Sequence, residues 1–559
     1  MTKRLNGVLL AMLCIAAAAC SGDTETMVAP SEEGSALDLV TIEQLKAHYE
    51  FLADDARQGR MTGEPGYDES ADYVAAQFES IGLEPGGEEG GWFQQVPLVS
   101  YRVDTESTQV ITHRDGIDST LKYRDDYGMN GDKVREEDTI RAEVVYVGFG
   151  VHAPELGYSD YDGVDVDGKI VAMFGGAPAI FHHNERAYYA SSRTKATEAV
   201  ARGAVGAISL RSRKAQRNMP WERFKKLTGT RPGMAWINLT GEANDYFPEL
   251  RGSITISAVT ATELMAGTPI SFEEALDAID DSRASSTPLG FEVTMARRTN
   301  HQNITSPNVI GIVRGTDPEL RNEFVVYSAH LDHLGVGVEE NGDSIYNGAY
   351  DNSMGIALMI ETARAIAASP PRRSVLFVAV TAEERGLLGS DYFAHYPTVP
   401  SDSIVANVNL DMPLFLSPVA DLVAFGAEHS SLQAPTDSAA QAEGFTLSPD
   451  PFPEENIFIR SDQYSFVRKG VPSIYLIPGF GSLDPEVDGE ALFRHHLLNY
   501  YHRPSDDLSR PVHWESARRF ARANARIGLN VADADERPTW NEGDFFGERF
   551  GSSRGAGGG

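Results

Sequence analysis

The feature that most constrains this chain is a set of short apolar runs that end in metal-capable side chains. Ser374–Val380 is continuous, valine-rich and bounded by turn residues. It reads as a strand buried on both faces, the pattern of a parallel sheet. Residues 324–329 and Ile404–Leu410 read the same way, and 308–313 and 473–477 add further strands. Between them Met354–Ala368 places Ile356, Met359, Ile360, Ala363 and Ile366 at helical spacing. Strands alternating with helices predict an α/β fold with a doubly wound, mostly parallel sheet flanked by helices. In such a sheet, ligands bind beyond the carboxyl ends of the strands.

Those ends carry the chemistry. His330 follows the run 324–329, Glu383-Glu384 lie just past Ser374–Val380 and Asp411 follows Ile404–Leu410, while Asp351 opens the helix after the His330 loop. His502 lies further on, before Pro504. Taken singly, each has an ordinary reading. Glu383-Glu384 suits a helix cap, Asp351-Asn352 an N-cap, His330 a hydrogen-bonded core histidine and His502 a surface one. Shared placement changes this, because topology brings the strand ends to one edge. Two histidines and three carboxylates suit a pair of zinc ions with one shared carboxylate. The only cysteines, Cys14 and Cys20, lie at the extreme N-terminus, so neither a disulfide framework nor a cysteine metal site serves the body of the protein.

The 559 residues predict more than one domain. A net charge of −33 argues against a nucleic-acid partner, since phosphate binding needs a basic surface. Residues 1–20 read as an export signal: Lys3 and Arg4, a short apolar core, then Ala17-Ala18-Ala19 before Cys20. This resembles a bacterial lipoprotein signal, which implies a lipid on Cys20, a tether over 21–40 and a location on the periplasmic side of a membrane, with an ordinary secretion signal as the alternative. Residues 41–135 begin the main domain with helical sequence, and 58–66 read as a plain glycine-rich connector. Residues 136–270 resemble the protease-associated (PA) domain, a small β-rich insert. His182 and His183 within it read as surface histidines, with no carboxylate at ligand spacing. The main body resumes over 285–535, and 550–559 read as a disordered glycine-rich tail.

The motifs Ser328-Ala329-His330-Leu331-Asp332-His333-Leu334-Gly335, Asn347-Gly348-Ala349-Tyr350-Asp351-Asn352-Ser353, Ala382-Glu383-Glu384-Arg385-Gly386, Asn409-Leu410-Asp411-Met412 and Tyr501-His502-Arg503-Pro504, in this order, resemble the M28 family of zinc exopeptidases. The resemblance implies one zinc on His330 and Asp411, a second on Glu384 and His502, and Asp351 shared between them. It also implies Asp332 accepting the free ring N–H of His330, and Glu383 as the base that activates water and returns its proton to the leaving amine. Tyr501 is the expected oxyanion donor, and 461–464, with Asp462 and Tyr464, the expected wall of the substrate pocket. The family carries an acid where Tyr350 stands, at a position that is not a ligand. A peptide substrate and an aminopeptidase activity are expected. Arg385, Arg460 and Arg503 lie near the motifs and keep a carboxypeptidase or dipeptidase open; a non-catalytic binding or receptor protein is the alternative of another class.

Overall fold

The computed structural model describes residues 35–551. The expected signal, the lipidated Cys20, the first part of the tether and most of the glycine-rich tail lie outside these residues. The end of the expected tether does not stay free: Leu37 and Val40 are buried in the main hydrophobic core. Among the described residues no helix is long and apolar enough to cross a membrane.

The mixed α/β sheet follows the sequence pattern. Its centre is four parallel strands in the spatial order Ser473–Pro478, Ile404–Leu410, Phe324–His330 and Ser374–Val380. All four are buried along their whole length, which is why each reads as an unbroken apolar run. Antiparallel strands extend the sheet on both sides, Asp421–Phe425 beyond one edge and the far half of Ser286–Val313 beyond the other.

Helices Met354–Ala368 and Trp514–Ala532 pack together on one face of this sheet, within the largest core. The first is buried almost all round, while the second turns a single apolar stripe inward. Full burial of each such side chain contributes about 1.5–3 kcal/mol, so this helix pair fixes the sheet beneath the strand ends.

Ser286–Val313 joins two halves of one continuous sheet. Its near half pairs with Gln109–Arg114 and Glu137–Val147, and its far half with Phe93–Val103 and Ser374–Val380. The near half belongs to a second β-rich region with its own core, from Val103 to Met295. That region reaches beyond 136–270 at both ends, because Gln109–Arg114 and Tyr127–Met129 before it and the near half of Ser286–Val313 after it pair into its sheet. It is also stitched back to the main body: Gly233–Trp236 pairs with Phe93–Val103. Short strands with common residues hide such long-range pairing from sequence, since pairing is set by packing neighbours rather than by propensity.

Candidate metal centre

The strand ends converge as the topology requires. His330 ends the middle strand of three neighbours, with Glu383 and Glu384 just beyond one partner and Asp411 just beyond the other. His330 Nε2 lies 3.1 Å from Asp411 Oδ1 and 3.2 Å from Asp351 Oδ1. His502 Nε2 lies 3.2 Å from Asp351 Oδ2 and 3.2 Å from Glu384 Oε2. Asp351 therefore turns one oxygen to each imidazole–carboxylate pair. Ligand atoms about 2.0–2.1 Å from a tetrahedral zinc are spaced about 3.3 Å apart, and the four contacts match that spacing.

The donor set fits cations. Burial alone lowers a histidine, yet the Glu384 and Asp351 carboxylates push His502 up to about 10. His330 is likewise raised well above its ordinary value, burial being outweighed by Asp411, Glu383 and Asp351. Burial raises Glu384, but His502 and His333 hold it well below the usual carboxylate range. Clustered acids that draw positive charge this strongly, with Glu384 Oε1 buried and lacking an aligned hydrogen-bond partner, form a cradle for divalent metal.

Neighbouring groups hold the ligands in place. The Asp506 carboxylate accepts from the backbone N–H of Tyr350 (3.2 Å) and Asp351 (3.2 Å). Asn352 donates to Leu410 O (2.8 Å) and accepts from Met412 N (3.1 Å), tying the Asp351 loop to the Asp411 strand end. At Gly348, with φ +59°, an added Cβ would fall 2.1 Å from Asp351 O and 2.5 Å from His333 Cγ, so only glycine fits. Tyr350, where the family carries an acid, is buried and donates to Pro511 O at 2.6 Å.

Asp332 departs from expectation. Its backbone carbonyl, not its carboxylate, accepts from His330 Nδ1 at 3.1 Å, while the carboxylate oxygen stays 4.0 Å away. The carboxylate is engaged elsewhere, accepting from Glu383 N (2.9 Å) and Glu384 N (3.3 Å). That grip holds the turn at Ala382, a left-handed residue with φ +55°, a conformation that costs an L-residue about 1–2 kcal/mol. Asp332 thus positions both glutamates at once.

Two contributors carry no expectation from sequence. Residues 58–66 are more than a connector: the buried Arg60 guanidinium donates to Leu331 O (2.9 Å), Asn347 O (2.6 Å) and Gly348 O (3.1 Å), bracing both ligand loops. The second is His333, buried with Nδ1 2.7 Å from Glu384 Oε1 and 3.9 Å from Asp351 Oδ2. The 2.7 Å approach is not aligned as a hydrogen bond, and neither ring nitrogen has one. His333 therefore presents a lone pair to the pocket with Glu384 and Asp351. The His-Leu-Asp-His spacing was the only available signal. His333→Ala is expected to weaken metal affinity by about 10–100-fold, read by competition with a chelator; unchanged affinity would refute this role.

The remaining expected residues divide. Glu383 is half-buried beside the cluster; burial raises its carboxyl well above the ordinary value, His330 opposing and Asp411, Glu384 and Asp462 adding to the rise. Tyr501 stacks on His502 at 3.8 Å between ring centroids. Burial and the Asp351 and Glu384 charges push its phenol well above the ordinary value, so it stays a donor. Asp462 is wholly buried, with no aligned partner for either oxygen, and burial pushes it up to about 7. It forms part of the buried wall of the site. Tyr464 is carried away by the short helix Gln463–Val467 and lines a cavity of about 260 Å³ with Tyr188, Arg193 and Arg468.

Residues 308–527 match the model of peptidase family M28. They belong to that family. The M28 segment contains all of the expected ligands in order, with Arg60 as the main support from outside it. Aminopeptidase NAALADL1 of Mus musculus is 32% identical over 138 residues, 23% of this chain and 17% of that protein. The probable leucine aminopeptidase 2 of Aspergillus fumigatus is 28% identical over 195 residues, 34% of this chain and 36% of that protein. The matched stretches thus span well under two thirds of these relatives. Over 90% of this chain and 96% of the other, the fold is similar to the aminopeptidase from Aneurinibacillus sp. strain AM-1, at 19% identity and a TM-score of 0.54.

Proposed function

We propose that this chain is a dizinc exopeptidase that removes residues from the free N-terminus of peptides. The observation that carries this reading is Asp351, whose two carboxylate oxygens face separate imidazole–carboxylate pairs, 3.2 Å from each imidazole. His330 and Asp411 would hold one ion, Glu384 and His502 the other, and Asp351 both, with His333 beside the second. Zinc held there supplies Lewis-acid polarisation of a peptide carbonyl and acidifies water.

The chain's own residues do the rest. Glu383 takes the proton of the attacking water on its carboxylate and gives it to the leaving amine. Tyr501 donates its hydroxyl to the developing oxyanion. The choice of terminus follows from the carboxylate left over: Glu383, the acid at the site that would hold no metal, favours an ammonium beside it over a second carboxylate. The printed names of the relatives, aminopeptidases among them, point the same way.

Metal analysis of the purified chain should give at least about two zinc ions per chain. Aminoacyl amides with a free amine should be hydrolysed and N-blocked peptides with a free carboxylate should not. A single ion would remove the shared-carboxylate reading. Turnover of only the N-blocked set would replace aminopeptidase by carboxypeptidase.

A further inference from the structure

A second cluster of metal-binding side chains lies outside the M28 centre's ligand set. His183, Glu428 and His429 come from distant parts of the chain, yet each offers a ligand atom within 4.8 Å of the others. His183 opens the helix His183–Ala190 of the β-rich region. Glu428 and His429 lie in the turn Ala427–His429 that follows the strand Asp421–Phe425 of the main body. The carboxylate partners absent from local sequence spacing are thus supplied by the fold.

The geometry around His429 is the one a ligating histidine adopts. Its Nδ1 lies 2.6 Å from Asp544 Oδ2, and the ring is wedged against Phe458 and Phe546. Asp544 is itself fixed, capping the helix Phe545–Phe550 by accepting from Gly547 N at 2.9 Å. A carboxylate that accepts a hydrogen bond from Nδ1–H sets the tautomer and leaves the Nε2 lone pair free, the arrangement that raises a histidine's basicity towards metal. That Nε2 lies 3.7 Å from Glu428 Oε1.

His183 supplies the second imidazole, held by ring contact with His182 at 4.0 Å. Among the described residues no hydrogen bond to its ring is found. Zinc would draw three such ligands to about 3.3 Å from one another. His429 is the fixed member, buried to 3%, while Glu428 is exposed and free to swing inward.

We propose that His183, Glu428 and His429 form a second, structural site for a divalent transition metal of the zinc class, oriented by Asp544. Its place in the fold gives it a task. The same seam holds Arg549, which donates to Tyr188 Oη at 2.7 Å and lies over its ring at 3.8 Å. A metal on the three ligands would staple the β-rich region to the main body and to the C-terminal helix.

The test compares the full chain with His183→Ala and Glu428→Gln. Each is equilibrated with zinc, passed over a chelating resin and analysed for zinc per chain. His183 is half-buried at a helix start, so its loss leaves the core intact. Each variant should carry one zinc ion fewer than the parent, show a smaller rise in thermal midpoint on adding zinc than the parent does, and keep hydrolytic activity within about twofold. Equal zinc content and an equal zinc-induced shift in parent and variants would overturn the proposal. The comparison is a difference between chains that share an unaltered M28 centre, so it stands whatever number of ions that centre holds.

Discussion

Glu383→Gln is expected to lower kcat by about 10²–10⁴-fold, the range that a positioned proton-transfer group supplies, while zinc content stays at the parent's value. Glutamine keeps the shape and polarity of the side chain but has no basic site for a proton. The substitution leaves the metal geometry alone, because the backbone of both glutamates is fixed by the Asp332 carboxylate at 2.9 Å and 3.3 Å. KM for an aminoacyl amide should change little, since the loss falls on an interaction made in the transition state. The contrasting variant is Glu384→Gln, one residue on, which should lose metal as well as rate. Full activity in Glu383→Gln would remove the residue from the mechanism. Equal zinc loss in both variants would show that the two glutamates are not divided between proton transfer and ligation.

The placement of these two glutamates at the sheet edge was legible in the sequence because it depends on topology more than on packing; the roles proposed for them come from the family resemblance. A buried parallel strand announces itself as an unbroken apolar run, and the edge of the sheet where its chemistry must lie follows from strand direction. Ser374–Val380, Phe324–His330 and Ile404–Leu410 therefore located Glu383, Glu384, His330 and Asp411 before any distance was known. What the sequence did not disclose depends on side-chain direction and on contacts between remote segments. Asp332 and His333 follow the same strand end, yet their roles turn on which way a loop backbone points. Its carbonyl, rather than its carboxylate, meets His330, and His333 swings back to Glu384. Arg60 belongs to a connector with no periodic pattern, and its partners lie some 270–290 residues away in sequence. Tyr464 shows the reverse case, a residue next to a motif in sequence that a five-residue helix turns away from the site.

Asp351→Ala should weaken zinc binding at both positions of the M28 centre and lower activity by at least about 10³-fold, the several kcal/mol that bound metal supplies. Without its carboxylate the first position keeps one imidazole and one carboxylate, His330 with Asp411, and the second keeps His502 and Glu384 with His333 beside them. Two donors are too few for a tetrahedral site that retains metal, and the second position is left one donor short. Asp411→Ala gives the informative comparison. It strips only the first pair and leaves Asp351, Glu384 and His502 together, with His333 Nδ1 2.7 Å from Glu384 Oε1 as a further donor. That variant should therefore lose about one ion relative to the parent. The order of zinc content, parent above Asp411→Ala above Asp351→Ala, is the signature of a shared carboxylate. Independent sites would instead lose one ion in either variant. Chelated parent protein serves as the control for shape: zinc returned to it should restore activity, and the same zinc returned to Asp351→Ala should not. If Asp351→Ala holds as much zinc as Asp411→Ala against the same chelator, Asp351 belongs to one site only, and the two oxygens that face two imidazoles do not bind two metals.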